Sequence, residues 1–248
     1  VQLTRRETLT LGAIATAAGI VGAPSFAFAK DGDVIDLAKL MAPAGIPDRP
    51  LGNPDAKVTL IEYASPTCPH CATFANNVLG PFKEKYVTTG QVLFVLRPFA
   101  RNTMDAAIFM LAEAAAKSAE AAEVPADTSA EPSAEPSAEP AAPAQPSQAA
   151  AEAYENVIAT FFRTQQTWGT SDKPLDAVKA VAFQLGFSEA SFNEALTNQD
   201  YFSAIESMRN QAINDFGLDG TPTFYLNGRQ ITGDKTLDEL STEIDPLL

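Results

Sequence analysis

Two β-branched and aliphatic runs, 57–64 and 91–97, flank a stretch with helical periodicity, and this triplet constrains the fold most. Each run is short, continuous and apolar, the pattern of a strand buried on both faces. Between them Ala72, Phe74, Ala75, Val78, Leu79 and Phe82 share one helical face, from Pro69 to about Tyr86, and Gly90 closes the segment. Two buried strands joined by a helix form a β-α-β unit, for which a right-handed crossover is expected. Near the other end, 221–226 and 229–232 read as strands around Asn227-Gly228, a type I′ hairpin signal, with a helix over about 236–244. Helical periodicity fills the middle at about 103–117, 150–167, 174–185, 188–198 and 200–216, with Gly186 and Gly217 as stops. The order βαβ, helices, ββα predicts a small α/β domain with a helical domain inserted into it.

Composition breaks at 118–150. This stretch has no aromatic residue, and Glu131-Pro132-Ser133-Ala134 recurs at 135–138 and, imperfectly, at 139–142. Such a tract buries too little surface to offset chain entropy, so it reads as a disordered, tolerated insertion.

The chain has two cysteines and one histidine, all within Cys68-Pro69-His70-Cys71. Structural zinc and iron–sulfur sites need about four ligands, more than these residues supply. Haem attachment needs histidine after the second cysteine, where Ala72 stands. A Cys-His hydrolase needs a second histidine. An inert disulfide and a redox-active pair remain. Cys68 stands just before Pro69, a favoured first helical residue, so unpaired N–H groups and the helix dipole favour its thiolate. A cationic His70 would favour it further, and Cys71 follows one turn on, more buried. Glu62 interrupts an apolar strand six positions before Cys68. It reads equally as a strand-end carboxylate in solvent or as a buried acid that moves protons for Cys71. Pro222 opens a strand, where most prolines are trans.

The first 29 residues read as a targeting segment: Arg5-Arg6, a weakly apolar run and Ala27-Phe28-Ala29 as a cleavage signal. The flank is similar to a Tat signal but has Thr8 where Phe is usual, so Tat and Sec export both stay open. An uncleaved anchor is the alternative, opposed by Pro24, Ser25 and low hydrophobicity. The net charge of −14 argues against nucleic acid as a partner.

Cys68-Pro69-His70-Cys71 after Ile61-Glu62-Tyr63, with Gly220-Thr221-Pro222-Thr223-Phe224 near the end, resembles the DsbA-like thiol:disulfide oxidoreductases of the thioredoxin superfamily. Leu51-Gly52-Asn53-Pro54-Asp55-Ala56-Lys57 also resembles that family's approach to its first core strand. The resemblance implies a thioredoxin-like fold with an inserted helical domain. It divides the chain into a signal peptide, 1–29; an N-terminal extension, 30–50; a thioredoxin-like domain in two parts, 51–102 and 217–248; and a helical domain, 103–216, carrying the 118–150 tract.

It further implies Cys68 as exposed nucleophile, Cys71 as resolving thiol and Glu62 as buried acid. Pro222 would be a cis-proline facing the disulfide, and Thr221 would offer backbone hydrogen bonds to an extended substrate. The disulfide itself would serve in place of a cofactor. The implied partners are reduced or unfolded exported proteins and a membrane protein that reoxidises the pair, in the periplasm. The Pro69-His70 dipeptide between the cysteines points to an oxidase, whereas threonine before the proline resembles the isomerases. The roughly 20 residues between the expected signal peptide and position 50 are too few for the isomerases' dimerisation domain. An isomerase or reductase, and a non-catalytic peptide-binding or chaperone module, are the alternatives.

Overall fold

The computed structural model describes residues 30–123 and 147–248. The expected targeting segment, 1–29, and the centre of the low-complexity tract, 124–146, lie outside them. Among the described residues the apolar runs form one sheet of four strands, in the order β2-β1-β3-β4. Strand β1 (Val58–Ala64) pairs in parallel with β2 (Val92–Pro98) and antiparallel with β3 (Thr223–Leu226), which forms a hairpin with β4 (Arg229–Thr232). Every residue of β1 and β2 is buried, as continuous apolar runs require. The hairpin turn has positive φ at both Asn227 and Gly228, and a Cβ at Gly228 would lie 2.3 Å from the Ile35 carbonyl oxygen. Only glycine serves there, because the N-terminal extension packs on the turn: the Ile35 N–H donates to the Gly228 carbonyl at 2.8 Å. That extension carries a single helical turn, α1 (Leu37–Leu40), and buries Leu40 and Ile46 in the core.

The helix after β1 divides into α2 (Pro69–Asn77), α3 (Leu79–Phe82) and a π turn, Lys83–Val87. The helical layer then runs α4 (Thr103–Glu123), α5 (Gln148–Arg163), α6 (Gln165–Gly169), α7 (Pro174–Gln184), α8 (Glu189–Thr197) and α9 (Gln199–Phe216). After the hairpin comes α10 (Leu237–Ile244). Two expectations are corrected. The tract expected to be disordered over 118–150 has helical ends. Ser118 to Glu123 continue α4, since Ala and Glu are strong helix formers and the first proline is Pro125. Ser147 caps α5 and donates to the Glu123 carboxylate, so the two ends of the tract meet. The single helix expected over 150–167 breaks at Thr164, whose hydroxyl donates back to the Thr160 carbonyl.

Two buried arginines tie these layers together. Arg97 of β2 is fully buried; its Nε donates to Asp48 at 2.8 Å and an NH1 proton to the Tyr63 hydroxyl at 2.9 Å. Arg49 clamps Glu113 of α4 with two donors and reaches Glu120. A buried guanidinium is tolerated only when paired, so removing a partner costs more than the pair contributes. Asp48→Ala should therefore destabilise the fold by about 3 kcal/mol in urea unfolding. A loss below about 1 kcal/mol would mean that Arg97 reaches water.

Candidate active site

Strand β1 delivers Glu62 to the site and then turns through Ser65-Pro66-Thr67 to Cys68. Cys68 is the N-cap of α2, in extended conformation (φ −83°, ψ 120°), and Pro69 fills the first helical position. As an N-cap it lies among helix N–H groups that have no partner within the helix. Both cysteines are free thiols. Cys68 is buried, only 2% exposed, which corrects the expectation of an exposed nucleophile. The loop before β3 explains it: the Cys68 thiol donates to the Thr221 carbonyl oxygen at 3.2 Å. The same contact occupies a carbonyl expected to be offered to substrate. The Thr221–Pro222 peptide bond is cis.

The Cys68 pKa is lowered to about 5. The largest cause is a hydrogen bond from the Cys71 thiol; burial opposes it, and the Thr221 hydroxyl and the backbone N–H groups of Cys71 and His70 add to it. The Thr221 hydroxyl is buried and has no hydrogen-bond partner among the described residues. It is a donor in reserve for the thiolate. His70 acts on the sulfur through its main chain. Its ring is exposed and turned to Asp234, with Nδ1 2.8 Å from Oδ2. Cys71 is pushed strongly upward, chiefly by burial and then by donating to Cys68, with the charges of Glu62 and Cys68 acting in the same direction. One sulfur thus ionises readily, and the other holds its proton.

Glu62 is fully buried, so it is not a carboxylate reaching solvent. Its cross-strand neighbours are Leu96 on β2 and Phe224 on β3, and neither carboxyl oxygen has a hydrogen-bond partner among the described residues. Burial, and secondly the Cys68 charge, raise its pKa to about 8. At neutral pH it is mostly a carboxylic acid with a proton to give.

Residues that the sequence pattern did not single out complete the surroundings. Asp234 holds His70, while Asp105 and Gln165 reach the turn before Cys68 from the helical layer. A cleft of about 560 Å³ opens beside Pro69, lined by Thr67, Met104, Gln165, Trp168 and Thr170 among others. Its walls mix apolar and polar groups.

The two shifted groups act oppositely on the stability of the reduced protein. Cys68 ionises more easily when folded, so its contribution grows as pH rises from about 5 toward 9. Glu62 ionises less easily when folded, so its contribution is full below about 4.5 and is lost as pH rises toward about 8. Removing the acid should unmask the thiolate. The stability of Glu62→Gln relative to wild type should rise with pH between about 5 and 8, by up to about 1.4 kcal/mol per unit. A difference independent of pH would show that Glu62 is already ionised in the folded protein.

Comparison with known proteins places the fold. A family model described as Thioredoxin matches residues 46–145 and 130–246, most of the chain. A candidate protein-disulfide oxidoreductase of Rickettsia conorii is 27% identical over 203 residues, and its Rickettsia felis counterpart is 25% identical over the same length. Each match covers 81% of this chain but only 60% of the relative, so the chain spans well under two thirds of their length. Among solved structures, α-DsbA1 of Wolbachia pipientis superposes with a TM-score of 0.66 at 24% identity, over 84% of this chain and 94% of that one. DsbA of Chlamydia trachomatis gives 0.60 at 17%, covering 80% and 90%. A protein-disulfide isomerase from Novosphingobium aromaticivorans gives 0.60 at 20%, covering 83% and 98%. At these identities the structural likeness establishes the fold. The chain belongs to the thioredoxin family, and its fold, with a helical domain inserted between β2 and β3, is similar to that of the DsbA structures.

Proposed function

We propose that this protein is an exported thiol:disulfide oxidoreductase that introduces disulfides into reduced proteins through Cys68 and Cys71. The observation that carries this reading is the unequal pair of thiols at the start of α2, with a protonated Glu62 nearby. In the oxidised protein a substrate thiolate attacks the Cys68 sulfur, and the Cys68–Cys71 bond breaks. Cys71 leaves with the electron pair and takes a proton, for which Glu62 is the source within the site. The substrate's second thiolate then attacks its own mixed-disulfide sulfur and expels Cys68, already stable as a thiolate. Two electrons pass from the substrate dithiol to the protein pair.

Direction follows from the same energetics. Whatever stabilises the Cys68 thiolate stabilises the reduced protein and makes its disulfide a stronger oxidant. Thr221 enters here. Threonine before the cis-proline resembles the isomerases, but its hydroxyl is among the groups that lower the Cys68 pKa, which favours oxidation of substrates. The substrates would be reduced or unfolded exported proteins, with the cleft beside Pro69 taking side chains near the reacting cysteine. Periplasmic export rests on the sequence of 1–29, and a membrane partner that accepts two electrons would reoxidise the pair.

Equilibration with a glutathione buffer tests the direction. The pair should lie closer to DsbA, near roughly −120 mV, than to thioredoxin, near roughly −270 mV. A value at the thioredoxin end would make the protein a reductase. Cys68→Ser should abolish oxidation of a reduced test protein; full biological activity in that variant would support a non-catalytic binding module instead.

A further inference from the structure

The turn Ser65-Pro66-Thr67, which connects Glu62's strand to Cys68, is held from both sides by the inserted helical domain. Asp105, in the first turn of α4 and fully buried, accepts from the Ser65 hydroxyl at 2.7 Å and from the Thr67 N–H at 2.7 Å. It also accepts from the Arg101 N–H at 2.9 Å. Gln165, which opens α6, donates from Nε2 to the Pro66 carbonyl at 2.7 Å and to the Cys68 carbonyl at 2.9 Å. One side chain takes up the turn's donors and the other its acceptors.

Neither residue is needed to close its own helix. The start of α4 is capped by Asn102, whose side-chain oxygen accepts from the N–H groups of Met104 and Asp105. A buried carboxylate is costly unless its oxygens are hydrogen-bonded, and Asp105 uses them on the turn and on Arg101. The hydroxyls are ordered in one direction: Ser65 donates to Asp105 and accepts from Arg101 Nε at 2.9 Å. Thr67 accepts from Asn102 at 2.9 Å, which leaves its own proton for Ser65, 3.2 Å away. Ser65 in turn touches both halves of the redox pair. Its carbonyl accepts the Cys68 N–H at 2.9 Å, and its N–H stabilises the Cys71 sulfur.

We propose that Asp105 and Gln165 are positioning residues for the redox pair: together they fix the Ser65-Pro66-Thr67 turn so that the Cys68 sulfur stays over the N–H groups at the start of α2. This rests on the thiol–disulfide exchange reading above. It also assigns the helical domain a part in setting the reactivity of Cys68, through a clamp one side chain deep on each side.

The sign of the effect separates positioning from charge. Removing a nearby negative charge by itself makes a thiolate easier to form and lowers its titration midpoint. Releasing the turn moves the sulfur off its donors and raises it. Gln165 is neutral, so its removal carries the positioning effect alone. Gln211 is the control: it also bridges backbone groups, accepting from the Ala44 N–H and donating to the Ala42 carbonyl, but far from the turn in sequence and in role.

The experiment is thiolate absorbance against pH on the reduced full chain, with urea unfolding in parallel, for wild type, Asp105→Ala, Gln165→Leu and Gln211→Ala. Asp105→Ala and Gln165→Leu should each raise the Cys68 midpoint by about one unit, a tenfold loss of thiolate below it. Their disulfides should also become easier to form. Gln211→Ala should lose stability with its midpoint unchanged. If Asp105→Ala does not fold, Gln165→Leu, at a half-buried position, decides the matter. Variants that lose stability but titrate at the wild-type midpoint, or below it, would overturn the clamp. A wild-type midpoint near the ordinary 8.5 would instead overturn the exchange reading on which it rests.

Discussion

The thiolate of Cys68 at the start of α2 is the interaction on which the site depends. An anion that is only 2% exposed has given up most of its water, and burial alone would raise its pKa. It is lowered to about 5 because the donors outweigh that penalty: the Cys71 thiol first, then the Thr221 hydroxyl and two main-chain N–H groups. No full positive charge is required. The donors are fixed by the fold. The N–H groups come from a helix start that Pro69 sets, and the hydroxyl comes from the loop before β3 that contacts Cys68.

The three titrating groups form one proton system rather than three sites. Cys68 and Cys71 share a proton that sits on Cys71; that hydrogen bond is the largest cause of the fall at Cys68 and adds to burial, the larger cause, in the rise at Cys71. Glu62 is shifted mostly by its own burial between Leu96 and Phe224, and its proton is the nearest reserve. The consequence is a division of roles between chemically identical thiols: a leaving group at the helix start and a proton-holding partner one turn deeper.

Much of this was legible in the residues. The two apolar runs and the hairpin signal placed the sheet, and the strand–CPHC–helix order placed Cys68 at a helix start. The aspects that were not legible depend on which residues tertiary packing brings together. Glu62 stood out as a charge in an apolar strand, but only the register with Leu96 and Phe224 decides that it is buried. His70 suggested a cation beside the sulfur. The fold instead gives its ring to Asp234 and uses its N–H. Asp105 and Gln165 carry no signal of their own, since an acid in a first helical turn and a glutamine at a helix start are ordinary. The low-complexity tract was visible by composition, yet composition blurs edges, and the alanine and glutamate at its borders continue α4.

The account stands most directly on the pH at which each sulfur becomes reactive. In the reduced protein, the rate of iodoacetamide alkylation at each cysteine, resolved by mass spectrometry across pH, measures it. Cys68 should follow a titration with its midpoint near 5, while Cys71 should stay unmodified until well into alkaline pH. Equal reactivity of the two thiols, or a Cys68 midpoint near the ordinary thiol value of about 8.5, would contradict the account.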